Sequence, residues 1–332
     1  MGQTCSCTDS NDKEQEVRTD PRQLKQGVKS NSNNTAPAAQ NNAKAQAQQK
    51  AFSDNKALNN NISSQATTTG GIHLGTGKSD DPITQMEMQA QREGLQFIEE
   101  LVFENGAVYK GYLKDQMRHG PGFQIWPDGA KYEGQWRFNK ANGKGKFWHA
   151  DGDVYEGDWE DDKANGYGVY VHVNGAKYEG EWKNDLQDGH GVESWSDGSQ
   201  YSGGYKEGMK HGTGKYVWND ASTYDGQWYE NKINGVGIYE WPDGRRYEGE
   251  WKENNMHGRG LYTWRDGRRY EGEYFNDRKH GYGTYTWQDG RQYAGQWQNG
   301  KQHGDGVYRQ GTGQERRGYW EEGKRIRWSD EE

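Results

Sequence analysis

The sequence predicts an all-β protein: an elongated single-layer antiparallel β-meander of tandem 23-residue hairpins, preceded by a disordered tail and a short capping helix. Three observations predict it. A tyrosine recurs every 23 residues from Tyr109 to Tyr293, without a slip. Between these tyrosines the apolar pattern has a period of two, not 3.6. The chain also holds 22 Tyr, 15 Trp and 49 Gly against six Pro, a composition of short strands and tight turns.

Hydrophobic residues are only 30% of the 332 and the formal net charge is -8, values that alone suggest disorder. The aromatic content opposes that reading, since disordered chains are poor in aromatics. A net acidic chain is not broadly attracted to nucleic acid or anionic lipid, and no nucleic-acid partner is expected. No run of 18 apolar residues is present, and the first residues lack the apolar core of a secretory signal. The two cysteines, Cys5 and Cys7, leave none in the body for disulfides, so the protein reads as cytosolic.

Residues 1–7, "MGQTCSC", read as a lipid-anchor motif. Loss of Met1 exposes Gly2, with Ser6 in the Ser/Thr position of the myristoylation pattern. One myristoyl chain binds a membrane only marginally, so palmitoylation of Cys5 and Cys7 would supply the second and third chains. The rival readings are an incidental start or half of a Cys-x-Cys metal site, which no further cysteine completes. Residues 8–80 are rich in Asn, Gln, Ala, Ser and Thr and bury too little apolar surface to offset chain entropy. They are expected as a disordered linker with a reach of roughly 45–50 Å. Residues 81–101 open on Asp81-Pro82, a helix start, and Ile83, Met86, Leu95, Ile98 and Leu101 suit one apolar face. A capping helix is expected there, with Gly94 weakening its middle.

Residues 109–315 are nine repeats. In "YEGEWKENNMHGRGLYTWRDGRR" (247–269), Tyr247, Gly249 and Trp251 share one face of a strand, and Glu248 and Glu250 the other. Gly258, Gly260, Tyr262 and Trp264 share a face of the next strand. Each unit is thus a hairpin. "DG" between hairpins suggests a type I′ turn, and "KENNMH" a longer turn at the opposite edge. The strand glycines leave space on the pleat for a Tyr or Trp of an adjacent strand, giving an aromatic seam; a bulge is their alternative role.

These units resemble the MORN (membrane occupation and recognition nexus) repeat, on "YEGEW" at 247–251 and 178–182 and "YEGDW" at 155–159, each followed by a "GxG" pair and an aromatic. Departures are Leu113 and Tyr205 in place of Trp, Ala221 in place of a turn Gly, and a partial unit with an acidic tail over 316–332. Ala221 and Tyr205 together suggest a hinge or bend near 201–224. The resemblance implies a non-catalytic scaffold, of the kind found in junctional membrane proteins, plant phosphatidylinositol phosphate kinases, ciliary radial spokes and protist cytoskeletons. It implies a groove for partner proteins lined by Trp136, Trp159, Trp182, Trp228, Trp251, Trp297, Tyr155, Tyr178, Tyr247 and Tyr270.

Other motifs carry less. "GGIHLGTGKSDD" misses the phosphate-loop pattern, because Ile72 stands where its first Gly belongs. His119, His211, His257, His280 and His303 recur at one position of the repeat, and equivalents in adjacent repeats lie about 9–10 Å apart, too far to share one zinc. The repeated carboxylates alternate with Lys and Arg as a solvated face does. No metal site, cofactor or catalytic set is expected. Arg245, Arg246, Arg268 and Arg269 form a candidate anionic-lipid patch. The expected function is a non-enzymatic scaffold, tethered through its acyl chains to the cytosolic face of a membrane, either the plasma membrane or a ciliary or cortical one, and docking partner proteins. The alternatives are a phosphoinositide-binding module, a regulator of a lipid kinase, or a structural component of a cilium, flagellum or cell cortex.

Overall fold

The computed structural model describes residues 88–90 and 92–330. The lipid-anchor motif, the linker and the start of the expected helix lie outside the described residues. The described residues form one 21-stranded sheet, from β1 (Gln96–Val102) to β21 (Lys324–Trp328). Every strand is antiparallel to the next along the chain, so the sheet is an open meander, as the period-two pattern requires.

The expected helix over 81–101 is corrected at its C-terminal end. Helical residues are described only at 88–90 and 92, and Gln96–Val102 is a strand. Gly94 ends the helix rather than weakening it. Its φ is +67°, and Leu95 N–H donates to Ala90 C=O at 3.1 Å across it. That is a Schellman stop, which costs a residue with a Cβ more than it costs glycine. Beyond it, β2 (Val108–Lys114) needs a hydrogen-bonding neighbour on its outer side, and the chain supplies β1.

The second repeat shows how each unit is made. β4 (Lys131–Arg137) pairs with β5 (Lys140–Trp148), Gly134 facing Gly145 and Trp136 facing Ala141. Two positions separate the first pair from the second on β4, and four on β5, so β5 bulges at Asn142–Lys144. Both roles proposed for the glycines therefore apply. Gly143, in the bulge, has φ +96°. Gly134 and Gly145 form a floor for a ring: a Cβ on Gly145 would lie 2.3 Å from the Tyr132 hydroxyl. The tyrosine lies across its own strand and its neighbour, and its hydroxyl donates to Gln135 C=O at 2.9 Å.

The seam this creates is continuous. Tyr132 meets Trp136 edge-on at 4.9 Å and Trp159 of the next repeat at 5.3 Å. Trp136 in turn meets Tyr109 of the repeat before at 5.7 Å and donates Nε1–H to Gly122 C=O. The same contacts recur along the array, so each repeat is stabilised through its neighbours.

The turns are the reverse of the expectation. At "WPDGR" only Gly244 has positive φ (+86°). Its N–H donates to Trp241 C=O, and Trp241 N–H donates to Arg245 C=O. That is a type I turn closed by a glycine bulge, not type I′. The type I′ turns sit at the opposite edge and span two residues, such as Glu253 (φ +49°) and Asn254 (φ +65°) between β14 (Arg246–Lys252) and β15 (Asn255–Thr263). They are affordable because a side chain ties them down: Ile233 N–H donates to Asn254 Oδ1 at 2.8 Å, and Asn254 N–H returns a bond to Ile233 C=O at 3.0 Å. Asn139, Asp162, Asp185, Asn231 and Asp277 repeat this clamp onto the preceding unit.

Ala221 adopts φ +66° in the same turn type as its glycine counterparts, and strand pairing continues in register through 201–224. The expected hinge has no counterpart in the strand pairing. Tyr205 is accommodated by a different device, described below.

Candidate docking surfaces

The ten aromatics expected to line a partner groove are the core instead. Trp136, Trp159, Trp182, Trp228, Trp251, Trp297, Tyr155, Tyr178, Tyr247 and Tyr270 are each between 0% and 7% exposed. A single layer achieves this because every ring is covered by the repeats on both sides, so these rings are consumed in cohesion and offer no free face. Burial pushes the tyrosine hydroxyls well above their ordinary pKa.

The arginine patch is split. Consecutive strand residues face opposite ways. Arg245 lies 5.2 Å from the Trp241 ring, on the aromatic side, and its Nε donates to Asp243 at 2.6 Å. Arg246 is on the other side, 2.8 Å from Glu248 and 3.5 Å from Glu240. Arg268 repeats Arg245, with Asp266 at 2.7 Å and Trp264 at 5.4 Å, and exposed Arg269 follows Arg246 onto the other face. Two short rows on opposite faces therefore replace the one patch expected.

The sequence reading missed the buried charges. Directly opposite the Trp of most units stands a residue such as Ala141, Ile233 or Met256. Where the Trp is replaced, a long cation stands there: Leu113 faces Arg118, Tyr205 faces Lys210 and Tyr274 faces Lys279. The smaller ring or side chain makes room for the longer partner. Arg118 bonds Gln124 and Asn139 C=O and stacks 4.1 Å from Trp136; burial lowers it to about 10. Lys210 pairs with Glu193 at 3.2 Å, and Tyr205 donates to the same carboxylate at 2.8 Å. Among the described residues Lys279 has no hydrogen-bond partner, and burial, helped by Arg268, pushes it down to about 7. The coupled departures at these two positions were the signal available in the sequence.

One further buried acid, Asp153, accepts hydrogen bonds from Tyr170 Oη and Val173 N–H and contacts His172 Nδ1, all at 2.9 Å. It stands where the other early turns carry Ala130, Ala176, Ser199 and Ser222, and it ties the third repeat to the second. Four of the repeated histidines pack on rings at the other edge: His119 meets Phe138 at 5.0 Å, His211 meets Tyr229 at 5.2 Å, and His257 and His280 meet Phe275 at 5.2 and 5.7 Å. No group of three or more metal-ligating side chains occurs among the described residues.

A family model for the MORN repeat matches nine segments: 109–131, 132–154, 155–177, 178–200, 201–223, 224–245, 247–268, 270–290 and 293–315. The chain belongs to the MORN repeat family. The nine matched segments begin at the seam tyrosines, Tyr109 to Tyr293. No curated protein matches this MORN chain in sequence. Among solved structures it is similar to the TCP10 domain of Danio rerio CPAP in complex with a peptide of Danio rerio STIL, at 13% identity, 69% of this chain, 97% of that one and a TM-score of 0.39. It is also similar to the TCP domain of Drosophila melanogaster SAS-4 with a proline-rich motif of Ana2, at 10% identity, 53% and 87% coverage and a TM-score of 0.30. Virginiamycin B lyase from Staphylococcus aureus follows at 11% identity, 67% and 83% coverage and a TM-score of 0.14. Among the described residues, no helix is long and apolar enough to cross a membrane.

Proposed function

We propose that this MORN protein is a non-enzymatic scaffold that docks partner proteins along its repeat array and is held at the cytosolic face of a membrane by acyl chains on Gly2, Cys5 and Cys7. The observation behind the docking reading is the unbroken register of the sheet. Each repeat presents equivalent surface positions at intervals of two strands, about 9.6 Å, on one continuous frame. The aromatic rings lock that frame internally, so recognition falls to the residues that differ from repeat to repeat. The tethering reading is supported by the "MGQTCSC" start, which combines a myristoylation pattern with two nearby cysteines.

Proximity labelling in cells with the full chain and with Gly2→Ala, together with membrane fractionation, tests both readings. The wild type is expected with membranes and the variant in the cytosol, with the variant losing membrane-associated neighbours. A variant that still pellets with membranes overturns the acyl tether. A wild type that enriches no protein above a freely diffusing control overturns the docking reading.

A further inference from the structure

We propose that the aromatic-side edge of the sixth to eighth repeats binds an acidic segment in the polyproline II conformation, its carboxylates gripped by Arg245, Arg268 and Arg291. The inference rests on the docking reading above and names the chemistry of the partner.

The position two residues before each seam tyrosine is buried in the first five repeats, small at Ala130, Ala176, Ser199 and Ser222 and acidic at Asp153. In the sixth, seventh and eighth it becomes arginine. All three arginines are held alike. Nε donates to the aspartate two residues earlier: Asp243 at 2.6 Å, Asp266 at 2.7 Å and Asp289 at 2.6 Å. Each guanidinium lies over the tryptophan of its own turn, 5.2 Å from Trp241, 5.4 Å from Trp264 and 5.8 Å from Trp287. Nη1 of Arg245 reaches the Tyr262 hydroxyl at 3.4 Å, and Nη1 of Arg291 reaches the Tyr308 hydroxyl at 3.3 Å. A guanidinium fixed through Nε and stacked on a ring is preorganised, because its plane is set before a ligand arrives.

Charge says what fits. The turns of the first five repeats carry Asp128, Asp151, Asp153, Asp197 and Asp220 with no arginine. From the sixth turn the sign changes. Exposed Arg265, whose side chain lies against Gly244 of the neighbouring turn, adds a cation to the three balanced Asp–Arg pairs. The edge is therefore net positive over these repeats only, on a chain that is net acidic.

Spacing says what shape fits. Equivalent arginines are two strands apart, about 9.6 Å. A polyproline II helix advances about 3.1 Å per residue with three residues per turn, so every third side chain points the same way at intervals of about 9.3 Å. In a β-strand, residues three apart face opposite sides, so a strand cannot present acids to successive arginines. The half-buried rings of Trp264 and Trp287 offer the apolar surface on which such a helix packs between its acids.

The test is fluorescence anisotropy of a labelled (Glu-Pro-Pro)4 peptide titrated with the full chain. Saturable binding is expected that weakens with salt, and that weakens about tenfold or more in the Arg268→Ala, Arg291→Ala double variant. An Arg246→Ala, Arg269→Ala variant on the opposite face should bind as the wild type does, and a (Gln-Pro-Pro)4 peptide should not bind. The proposal is overturned if the peptide does not bind, or if both double variants lose it equally. It is also overturned if the Arg268/Arg291 variant loses phosphatidylserine vesicles or a self-associated dimer rather than the peptide. Loss of the peptide site with the same proximity-labelled neighbours retained would leave the docking reading standing and remove only this edge from it.

Discussion

Lys210 Nζ lies 3.2 Å from Glu193 Oε2, and this ion pair joins the fifth repeat to the fourth from inside the aromatic seam. The rings of Trp195, Tyr201, Tyr205 and Tyr216 lie 4.8–6.0 Å from the ammonium. Both side chains are nearly buried, so breaking the pair strands a charge. Lys210→Met should destabilise the full chain by about 3–5 kcal/mol. Converting the cluster to the pattern of the other units, Glu193→Tyr with Tyr205→Trp and Lys210→Ala, should be close to neutral or stabilising, because apolar packing then replaces two desolvated ions. Thermal melts of the two variants compare these outcomes directly. A single variant as stable as wild type would show that the pair contributes nothing.

Lys279 occupies the equivalent place in the eighth repeat, with no carboxylate paired to it among the described residues. Its ammonium position is 4.6 Å from the Tyr285 ring and 5.0–5.3 Å from those of Trp297, Tyr270 and Trp264. Ring faces favour the cation, while burial disfavours it and wins, taking the group down to about 7 from its ordinary 10.5. The unfolded chain therefore binds the extra proton between pH 7 and 10.5, and this site makes folding more favourable as pH rises through that window. Lys279→Met should raise the melting temperature at pH 7 and flatten its rise towards pH 10. An unchanged slope in the variant would mean that the amine is charged and satisfied in the fold.

Gly145 and Gly129 separate two uses of glycine. A Cβ at Gly145 would sit 2.3 Å from the Tyr132 hydroxyl and 2.6–2.7 Å from carbons of that buried ring, whereas a Cβ at Gly129 meets nothing within 4 Å. Gly145→Ala should cost about 1–3 kcal/mol by overpacking. Gly129→Ala keeps only the penalty of its φ of +91°, about 1–2 kcal/mol. Near-ultraviolet circular dichroism distinguishes them further, since only the first should disturb the tyrosine signal.

Ala221 already holds φ +66° in a turn built for glycine. Ala221→Gly should stabilise the array by up to about 1 kcal/mol, the difference between relieved strain and added chain entropy. A lower melting temperature in the glycine variant would show that the entropy term is the larger.

The repeat length, the strand assignment, the Gly–Tyr floor and the family were legible in the sequence, because period-two patterning and a fixed 23-residue spacing are local properties of the chain. The helix boundary was misread because apolar residues such as Ile98 and Leu101 satisfy a helical face and a strand equally well, and only the open edge of β2 selects the strand. The turn types were inverted for a related reason. Positive φ at Glu253 and Asn254 is stabilised by Ile233, 21 residues earlier in the chain, which no local window contains. Burial was likewise decided by neighbours: Trp136 and Tyr155 are internal only because the adjoining repeats stack on them, and Arg245 and Arg246 part company only because the sheet gives them opposite faces. The sequence by itself determined the unit and its repetition, through short-range sterics and patterning. Only the tertiary structure decided which surface of that repetition remains free to bind, since exposure is a property of stacked units and not of any one of them.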